Sequence, residues 1–452
     1  MLQLFLGCAS AVSCGPGTHE VEALCLPDAV AADTAPVPDT GDTAEEVEEQ
    51  EFIEVYLLSG QSNMDGFSLL SGLPPSLRVA QADVPLYWAE TGTFAPLAPA
   101  SSYGAPYTGP EVSFGRTLAD AGQRVALVKY AIGASNLQTY WTPGKGDDDP
   151  DAGEGWAVLV ETIAGATAEL DAAGTPWRWA GFVWMQGETD ARYAATAAAY
   201  EANLTQLLAS VREETNTPEL PTVLGLIACD EMCEWFEDVR TAQIAVADAD
   251  PNTVAVETFD LPLSVTDEIH YDGPSIRVVG ERFAQALLGV PLSAPPTAAM
   301  AIAGHETTSD GDYTVGWRFQ TDRPIVVTDV GGFAVTTFHT SPEWGLWETT
   351  TETLLARGTI PGRFEEPTTL RDGFWYAGVE PIALPAGDYV IGLMIWQTDG
   401  NVFTTDAIGV TAEGITLVEP RSIADYWLTF PTDAAGVGTG MAYLGPSFLY
   451  HE

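Results

Sequence analysis

Basic residues are scarce in this chain of 452 residues. It has 17 lysines and arginines against 64 aspartates and glutamates, a formal net charge of -47, and only two lysines, Lys129 and Lys145. A surface with this charge repels phosphate groups, which argues against nucleic acid and anionic membranes as partners. A high net charge of this kind keeps an exported protein soluble. We therefore expect a secreted or cell-surface protein.

Long apolar runs and cysteines are also few. No stretch approaches the roughly 18 apolar residues of a membrane-spanning helix. The five cysteines are Cys8, Cys14, Cys25, Cys229 and Cys233. Their spacing predicts two short-loop disulfides in an oxidising compartment, Cys14 with Cys25 and Cys229 with Cys233.

Cys8 is left without a partner by this pairing. It ends the sequence LFLGC, which resembles a bacterial lipobox, although no basic residue precedes it. The resemblance implies a lipid anchor on Cys8, and a buried free cysteine is the alternative.

Metal-binding patterns are missing as well. The chain has neither H-E-x-x-H nor a Cys/His zinc pattern, so we expect no metal or organic cofactor. The acidic stretch GDDDPDAGE at 146–154 lacks the regular alternation of an EF-hand loop. A solvated loop is favoured there over a calcium site.

The length and the pattern of apolar residues indicate two domains and a tail. Residues 1–51 include PVPDTGDTAEEVEEQ, which is too polar to fold and predicts an acidic tether. In 52–290, apolar runs alternate with helical patterns, which predicts a three-layer α/β/α domain with a parallel sheet. The expected strands are 53–58, 125–130, 180–185, 222–228 and 253–257, and the expected helices lie near 111–121, 156–173, 196–213, 234–248 and 275–288.

The rest of the chain has strand-like segments without helices. PLSAPPT at 291–297 is a predicted linker, and 298–452 is a predicted antiparallel β-sandwich that resembles accessory domains of exported bacterial proteins. We expect most of its aromatic residues to pack in the core, and a sugar-stacking face is the alternative. The residues concerned are Trp317, Trp344, Trp347, Trp375, Tyr376 and Trp396. The role of this domain stays open between glycan binding and structural support.

The stretch IEVYLLSGQSNM, residues 53–64, predicts a buried strand that runs into a turn carrying Ser62. Gly60 allows a sharp turn at the carboxyl end of the strand. Ligands bind at this end of open α/β sheets, so Ser62 is a candidate nucleophile. An ordinary helix-capping serine is the alternative.

A serine nucleophile needs a base, and His270 is the one histidine within 52–290. It lies in TDEIHYDG, three residues after Asp267. This spacing allows the carboxylate to orient one ring nitrogen while the other faces Ser62. We therefore predict a Ser62, His270 and Asp267 triad.

Two further predicted strand ends supply polar groups. WMQGETDA at 184–191 places Gln186, whose amide is a candidate oxyanion donor, at the same sheet edge. Glu188 and Asp190 have two alternative interpretations. They are either a pair of metal ligands or acids that the helix dipole favours at a helix N-terminus. The backbone N–H of Gly133 is another candidate donor, with a plain turn glycine as the alternative.

These blocks, in this order, resemble those of the SGNH hydrolase superfamily. G-Q-S-N-M at 60–64, W-M-Q-G-E-T-D-A at 184–191 and D-E-I-H at 267–270 are similar to the sialate O-acetylesterase and acetylxylan esterase group, carbohydrate esterase family 6. G-P-E at 109–111 and the block at 132–137 extend the resemblance.

The resemblance implies a flavodoxin-like fold and specific roles for the residues. Ser62 is then the nucleophile, His270 the base and Asp267 its orienting acid. The backbone N–H of Ser62, together with Gly133 and Gln186, forms the implied oxyanion hole. Gln61 and Glu188 support the site by hydrogen bonds rather than by catalysis.

Three residues depart from the group's pattern: Met185 stands where histidine is frequent, and Ala134 and Asn136 replace other residues. The implied activity is removal of O-acetyl groups from carbohydrate of the acetylxylan or sialic-acid type. A catalytically silent glycan-binding protein and an esterase for another acyl group are the alternatives.

Overall fold

The computed structural model describes residues 18–21, 24–27, 52–144, 153–229, 232–303, 306–308, 312–333, 338–362, 364–396, 403–405, 408–434 and 445–452. Cys8, Cys14 and the side chain of Cys25 lie outside this description, as does most of the acidic loop at 146–154, so the Cys14–Cys25 disulfide and the lipid anchor stay predictions. By its contacts the chain divides into Met1–Glu49 and Gln50–Glu452. In the first unit, strands Thr18–Val21 and Leu24–Pro27 form an antiparallel hairpin.

The α/β region of the second unit contains a seven-stranded sheet. In chain order its strands are β1 (Ile53–Gly60), β2 (Gln81–Trp88), β3 (Thr93–Leu97), β4 (Val125–Ala131), β5 (Trp177–Met185), β6 (Thr222–Gly225) and β7 (Thr253–Val256). Their spatial order is β7-β6-β5-β1-β4-β2-β3. All neighbours are parallel except β2 and β3, which form an antiparallel pair.

Helices cover both faces of this sheet. They are α1 (Ser62–Asp65), α2 (Glu111–Asp120), α3 (Glu154–Ala173), α4 (Ala194–Glu214), α5 (Phe236–Ala249) and α6 (Gly273–Leu288). Apolar side chains of α2 and α6 form one core with the sheet, and those of α3, α4 and α5 form the other. The predicted three-layer α/β/α class is therefore confirmed. None of the described helices combines the length and apolar character needed to cross a bilayer.

The strands β2 and β3 are absent from the sequence prediction. β3 is the edge strand and pairs antiparallel with β2; Pro96 of β3 lies opposite Pro85, which follows a register shift and lies outside the part of β2 that pairs with β4. Proline cannot donate a ladder hydrogen bond and occurs in sheets mainly on edge strands and at irregularities, which is why a proline-containing segment gave no strand signal. The sheet is consequently mixed rather than purely parallel.

The β region consists mainly of two antiparallel sheets. One contains Thr297–Ala298, Ile325–Phe333, Thr369–Arg371, Phe374–Leu384 and Pro446–His451; the other contains Tyr313–Thr321, Glu343–Glu348, Thr353–Thr359, Gly387–Ile395, Ile415–Ala424 and Asp433–Ala434. The shorter described pairs of this region are Met300–Ala303 with Ile408–Thr411, and Glu306–Thr308 with Phe403–Thr405. In the α/β region, Ser68–Leu69 pairs with Tyr107–Thr108. One apolar core lies between the two main sheets. This arrangement matches the predicted antiparallel β class.

The aromatic residues of the β region divide into two groups. Trp317, Trp344 and Tyr376 are buried in the core between the sheets, as core packing predicts. Trp375 is only half-buried. It belongs to the strand Phe374–Leu384, whose neighbouring side chains Phe374 and Tyr376 point into the core.

The α/β and β regions lie within one compact unit and share buried ion pairs. Arg371 approaches Asp272, the N-cap residue of α6, at 2.6 Å, and Arg277 of α6 approaches Asp329 at 3.0 Å. Removing one partner of such a pair leaves an uncompensated buried charge, so these contacts fix the two regions against each other. The boundaries at 290 and 298 stay predictions, and Thr297 is already part of a strand.

Candidate active site

Gly60 forms the sharp turn at the carboxyl end of β1. Its φ is +151°, and a Cβ atom at this position would lie 2.0 Å from the carbonyl oxygen of Met185 on the adjacent strand. No other residue fits without moving the backbone. The turn places Ser62 at the first position of α1, at the sheet edge where β1, β4 and β5 end side by side.

Ser62, His270 and Asp267 form a continuous hydrogen-bonded chain. Nε2 of His270 lies 2.9 Å from Oγ of Ser62, and Nδ1 of the same ring lies 2.9 Å from Oδ2 of Asp267. Ser62 is 5% exposed, so its hydroxyl is sheltered but reachable. This geometry suits transfer of the serine proton to the imidazole while the carboxylate holds the ring orientation.

The carboxylate of Asp267 is also held by its own loop. Oδ1 accepts hydrogen bonds from the backbone N–H groups of Ile269 and His270. Burial opposes the charged form, but the hydrogen bonds from His270 and Ile269 outweigh it and keep the pKa of Asp267 below its ordinary value. Asp267 is therefore ionised under conditions in which it must stabilise a protonated imidazole.

Gly133 faces the nucleophile from the turn after β4. A Cβ atom on Gly133 would lie 3.6 Å from Cβ of Ser62, so the backbone of Gly133 borders the space where an ester carbonyl must sit. The next residue, Ala134, has a left-handed φ of 57° that tightens the turn. Ser62 starts a helix, where the first N–H groups lack intrahelical acceptors. The N–H groups of Ser62 and Gly133 thus remain the candidate oxyanion donors.

Gln186 differs from its predicted role. Its side chain is fully buried, and Nε2 donates to the carbonyl of Ser135 at 3.1 Å and to Oδ2 of Asp190 at 2.6 Å. Its Oε1 accepts from Tyr200. Both amide hydrogens are therefore engaged, and in this structure Gln186 fixes the turn after β4 instead of offering a donor to an oxyanion.

Asp190 completes that buried network. It accepts from Gln186 and from the backbone N–H of Leu137, which joins the loops that follow β4 and β5. Burial raises the pKa of Asp190 to about 6, although these hydrogen bonds act in the opposite direction. Asp190 thus connects these loops within a buried hydrogen-bond network. Among the described residues, no group of His, Cys, Asp and Glu side chains is arranged to hold a metal ion.

Glu188 supports the site through Asn63, a residue without an assigned role in the sequence prediction. Nδ2 of Asn63 donates to Oε1 of Glu188 at 2.6 Å and to the carbonyl of Ile269 at 3.1 Å. Oδ1 of Asn63 accepts from the N–H of Tyr271. Asn63 therefore links the nucleophile turn to both sides of the His270 loop. Its position directly after Ser62 is the only sequence signal for this role.

Gln61 occupies the corresponding position before the nucleophile. Its Oε1 accepts hydrogen bonds of 3.3 Å from the backbone N–H groups of Gly187 and Thr189. These contacts tie the turn after β1 to the turn after β5. Gln61 and Glu188 thus both hold the backbone around the triad without contacting Nε2 of His270.

A fully buried ion pair supports α1 from below. Nζ of Lys129 on β4 lies 2.7 Å from Oε2 of Glu111, the acid of the G-P-E block, and also donates to the carbonyls of Asp65 and Ala100. A buried lysine is tolerated only when its charge and its donors are satisfied in this way. Lys129 thereby joins the nucleophile helix to the loop around residue 100.

That loop carries Tyr103 over the site. Asp65 accepts hydrogen bonds from the N–H and the hydroxyl of Ser102, which anchors the loop to α1. The Tyr103 hydroxyl would lie 1.8 Å from a Cβ atom on Gly133, so it closes the space beside the candidate oxyanion donors. Burial raises the pKa of Tyr103, which therefore stays protonated at neutral pH. No sequence motif marks this loop residue.

A disulfide joins Cys229 and Cys233, with an S–S distance of 1.97 Å. Sγ of Cys233 lies 3.6 Å from the carbonyl oxygen of Glu188. The cross-link therefore lies behind the turn that follows β5.

Comparison with solved structures finds several proteins to which this chain is similar. A protein from Arabidopsis thaliana is 22% identical over 52% of this chain and 98% of its own, with a TM-score of 0.45. A carbohydrate acetylesterase from Xanthomonas citri, XAC1771, is 16% identical over 83% of this chain and 81% of its own, with a TM-score of 0.39. A variant of the acetyl xylan esterase Axe2 from Geobacillus stearothermophilus is 14% identical over 54% of this chain and 99% of its own, with a TM-score of 0.31.

A search of curated proteins gave no significant match. The family model for carbohydrate esterase, sialic acid-specific acetylesterase, matches residues 53–289, just over half of the chain. This range covers every strand and helix that positions Ser62, His270 and Asp267. The chain therefore belongs to the carbohydrate esterase, sialic acid-specific acetylesterase family.

Proposed function

We propose that the protein removes O-acetyl groups from carbohydrates through an acyl-enzyme on Ser62. The observation that carries this proposal is the hydrogen-bonded chain from Ser62 through His270 to Asp267, with the Gly133 backbone facing the nucleophile. The family supports an acetyl-removing esterase. The triad supports the mechanism.

The reaction follows from the positions of these atoms. Oγ of Ser62 attacks the acetyl carbonyl while Nε2 of His270 takes its proton, and the N–H groups of Ser62 and Gly133 receive the oxyanion. His270 then gives the proton to the departing sugar oxygen as the ester C–O bond breaks. A water molecule, deprotonated by His270, then attacks the carbonyl carbon of the acetyl-serine; the bond to Oγ of Ser62 breaks as His270 returns the proton to Oγ, and acetate leaves. These steps require no cofactor.

A small acyl group is favoured by the surroundings of Gly133. The Tyr103 hydroxyl fills the space next to this glycine, so an acyl chain longer than acetyl meets the phenol ring. Loop anchoring by Asp65 and Ser102 keeps Tyr103 in place. This supports acetyl over longer acyl esters.

The proposed substrates are acetylated glycans of the acetylxylan or sialic-acid type, and the proposed location is secreted or cell-surface. The family description supports a carbohydrate ester. The Cys229–Cys233 disulfide and the net charge of -47 support an exported protein. Met185 stands where this group often has histidine. Because Met185 is fully buried, this replacement changes the core beneath the site.

Substitution of Ser62 tests the mechanism. We expect Ser62→Ala to reduce acetate release from p-nitrophenyl acetate and from acetylated xylan by at least about 10⁴-fold, since removing a serine nucleophile abolishes the acyl-enzyme. A fluorophosphonate probe should label wild-type protein and leave Ser62→Ala unlabelled.

An active Ser62→Ala protein would contradict the mechanism. A folded wild-type protein that takes up no fluorophosphonate and releases no acetate would favour a silent glycan-binding protein. Acetate release measured across acetylated xylan, acetylated sialic acid and acetylated peptidoglycan identifies the substrate class.

A further inference from the structure

A cleft at the junction of the α/β and β regions adjoins the triad. Its volume is about 300 Å³, at the small end of the ~300–1,000 Å³ typical of ligand sites. The α/β region contributes Phe67, Tyr107 and Asp267 to its lining, and the β region contributes Thr368, Thr369 and Trp375. A second cleft of about 750 Å³ at the same junction has no triad residue in its lining.

The smaller cleft borders the loop that carries His270, because Asp267, Tyr271 and Asp272 line it. His270 must pass its proton to the departing sugar oxygen, so the sugar has to lie next to His270 while the acetyl group lies next to Gly133. Phe67 packs against the His270 ring at 4.3 Å and stacks on Tyr107 at 4.6 Å. A sugar whose oxygen is within reach of His270 therefore extends along Phe67 toward the cleft.

The lining of the cleft has the chemistry that carbohydrate requires. A sugar ring presents an apolar face of C–H groups and an edge of hydroxyls, which suit an aromatic face and polar side chains, respectively. Trp375 is half-buried: it lines the cleft and also packs against the core between the sheets. Thr368 and Thr369 supply polar groups around it.

The wall from the β region is held rigidly against the α/β region. Arg371 forms its buried ion pair with Asp272, two residues after His270. Ser71 donates a hydrogen bond of 2.6 Å to the carbonyl of Pro367, and Thr369 accepts one from the N–H of Gly273. The cleft is thus formed before any ligand arrives, which lowers the entropy lost on binding.

We infer that this cleft binds the sugar unit next to the one that carries the acetyl group, with Trp375 as its stacking platform. The inference rests on the proposed function and assigns the β region a direct part in substrate binding. The enzyme then prefers acetylated oligosaccharides to acetylated monosaccharides.

Substrate length and Trp375 together test the inference. Wild-type, Trp375→Ala and Trp375→Phe proteins are assayed for acetate release from p-nitrophenyl acetate, partially acetylated xylose, partially acetylated xylotetraose and O-acetylated sialyllactose. We expect Trp375→Ala to lower kcat/KM for the better oligosaccharide by about tenfold, mainly through KM, and Trp375→Phe to retain most of it. The loss on p-nitrophenyl acetate, which carries no sugar, should be much smaller than the loss on the oligosaccharide.

Trp427, which is 74% exposed and lies outside the cleft, provides the matched control variant Trp427→Ala. Equal losses of Trp375→Ala on all substrates would indicate a structural role and overturn the inference. So would a wild-type enzyme that treats xylose and xylotetraose alike and is unaffected by Trp375→Ala. If the wild-type protein hydrolyses p-nitrophenyl acetate but releases acetate from none of the carbohydrates, the proposed function fails and the inference fails with it.

Discussion

Asn63 donates a hydrogen bond of 2.6 Å to Glu188, a residue 125 positions away whose side chain is 1% exposed. The second oxygen of Glu188 has no hydrogen-bond partner among the described residues. Burial raises the pKa of Glu188, and the hydrogen bond from Asn63 opposes this effect. The residue after the nucleophile thus stabilises a buried carboxyl group while it also binds both sides of the His270 loop.

Replacing Asn63 should therefore affect stability and activity together. We expect Asn63→Ala to lower the free energy of unfolding by about 1–3 kcal/mol, because it leaves a buried acceptor unpaired. It should also reduce kcat by about 10- to 100-fold, because the His270 loop loses its attachment to α1. Urea denaturation and p-nitrophenyl acetate kinetics measure the two effects. Glu188→Gln, which keeps an acceptor for Asn63, is the control, and wild-type stability of Asn63→Ala would contradict the argument.

Asp267 should act through the imidazole and not through substrate binding. We expect Asp267→Asn to reduce kcat by about 10⁴-fold with little change in KM, because the ring loses its orienting carboxylate. Kinetics on p-nitrophenyl acetate over several concentrations separate kcat from KM. The exposed Asp248→Asn serves as the control. A loss confined to KM would place Asp267 in the binding site instead.

Tyr103 should limit the length of the acyl group. We expect Tyr103→Ala to raise the ratio of kcat/KM for p-nitrophenyl butyrate over acetate by about tenfold or more, because one methylene in a pocket changes kcat/KM by about 10- to 200-fold. Tyr103→Phe removes only the hydroxyl and keeps the ring, so it should raise the ratio less than Tyr103→Ala does. An unchanged ratio in Tyr103→Ala would show that another group borders the acyl site.

Asp190 should make stability depend on pH. Its pKa of about 6 lies above the ordinary aspartate value of 3.8, so the folded state binds the proton more tightly than the unfolded state. The resulting stabilisation is complete below pH 4 and is lost as the pH rises through 6. Between pH 4 and pH 7, the difference in unfolding free energy between wild type and Asp190→Asn should fall by up to about 3 kcal/mol. Urea denaturation at each pH measures this change.

The exposed variant Glu201→Gln provides the control for Asp190. It should follow the wild-type curve across the same range of pH. A difference between wild type and Asp190→Asn that is constant with pH would show that Asp190 is ionised throughout.

Much of the α/β region could be predicted because its signals are local. Buried parallel strands such as β1 and β4 are short apolar runs that stand out against helical patterns. The strands β2 and β3 could not be predicted from their proline-containing sequences. Pro96 is tolerated because β3 is an edge strand, and Pro85 because it lies at a register shift outside the part of β2 that pairs with β4, and both are properties of the assembled sheet.

The sequence alone determined the class of the fold, the candidate nucleophile and its base, because the α/β region has one histidine, His270, and Asp267 precedes it by three residues. Tertiary structure decided what each neighbouring group is free to do. It engaged the Gln186 amide with Ser135 and Asp190, brought Tyr103 over Gly133 and placed Trp375 in the lining of a cleft that Asp267 also borders. These outcomes depend on contacts between residues far apart in the chain, and such contacts are set by how the sheets and loops pack, which no local pattern records.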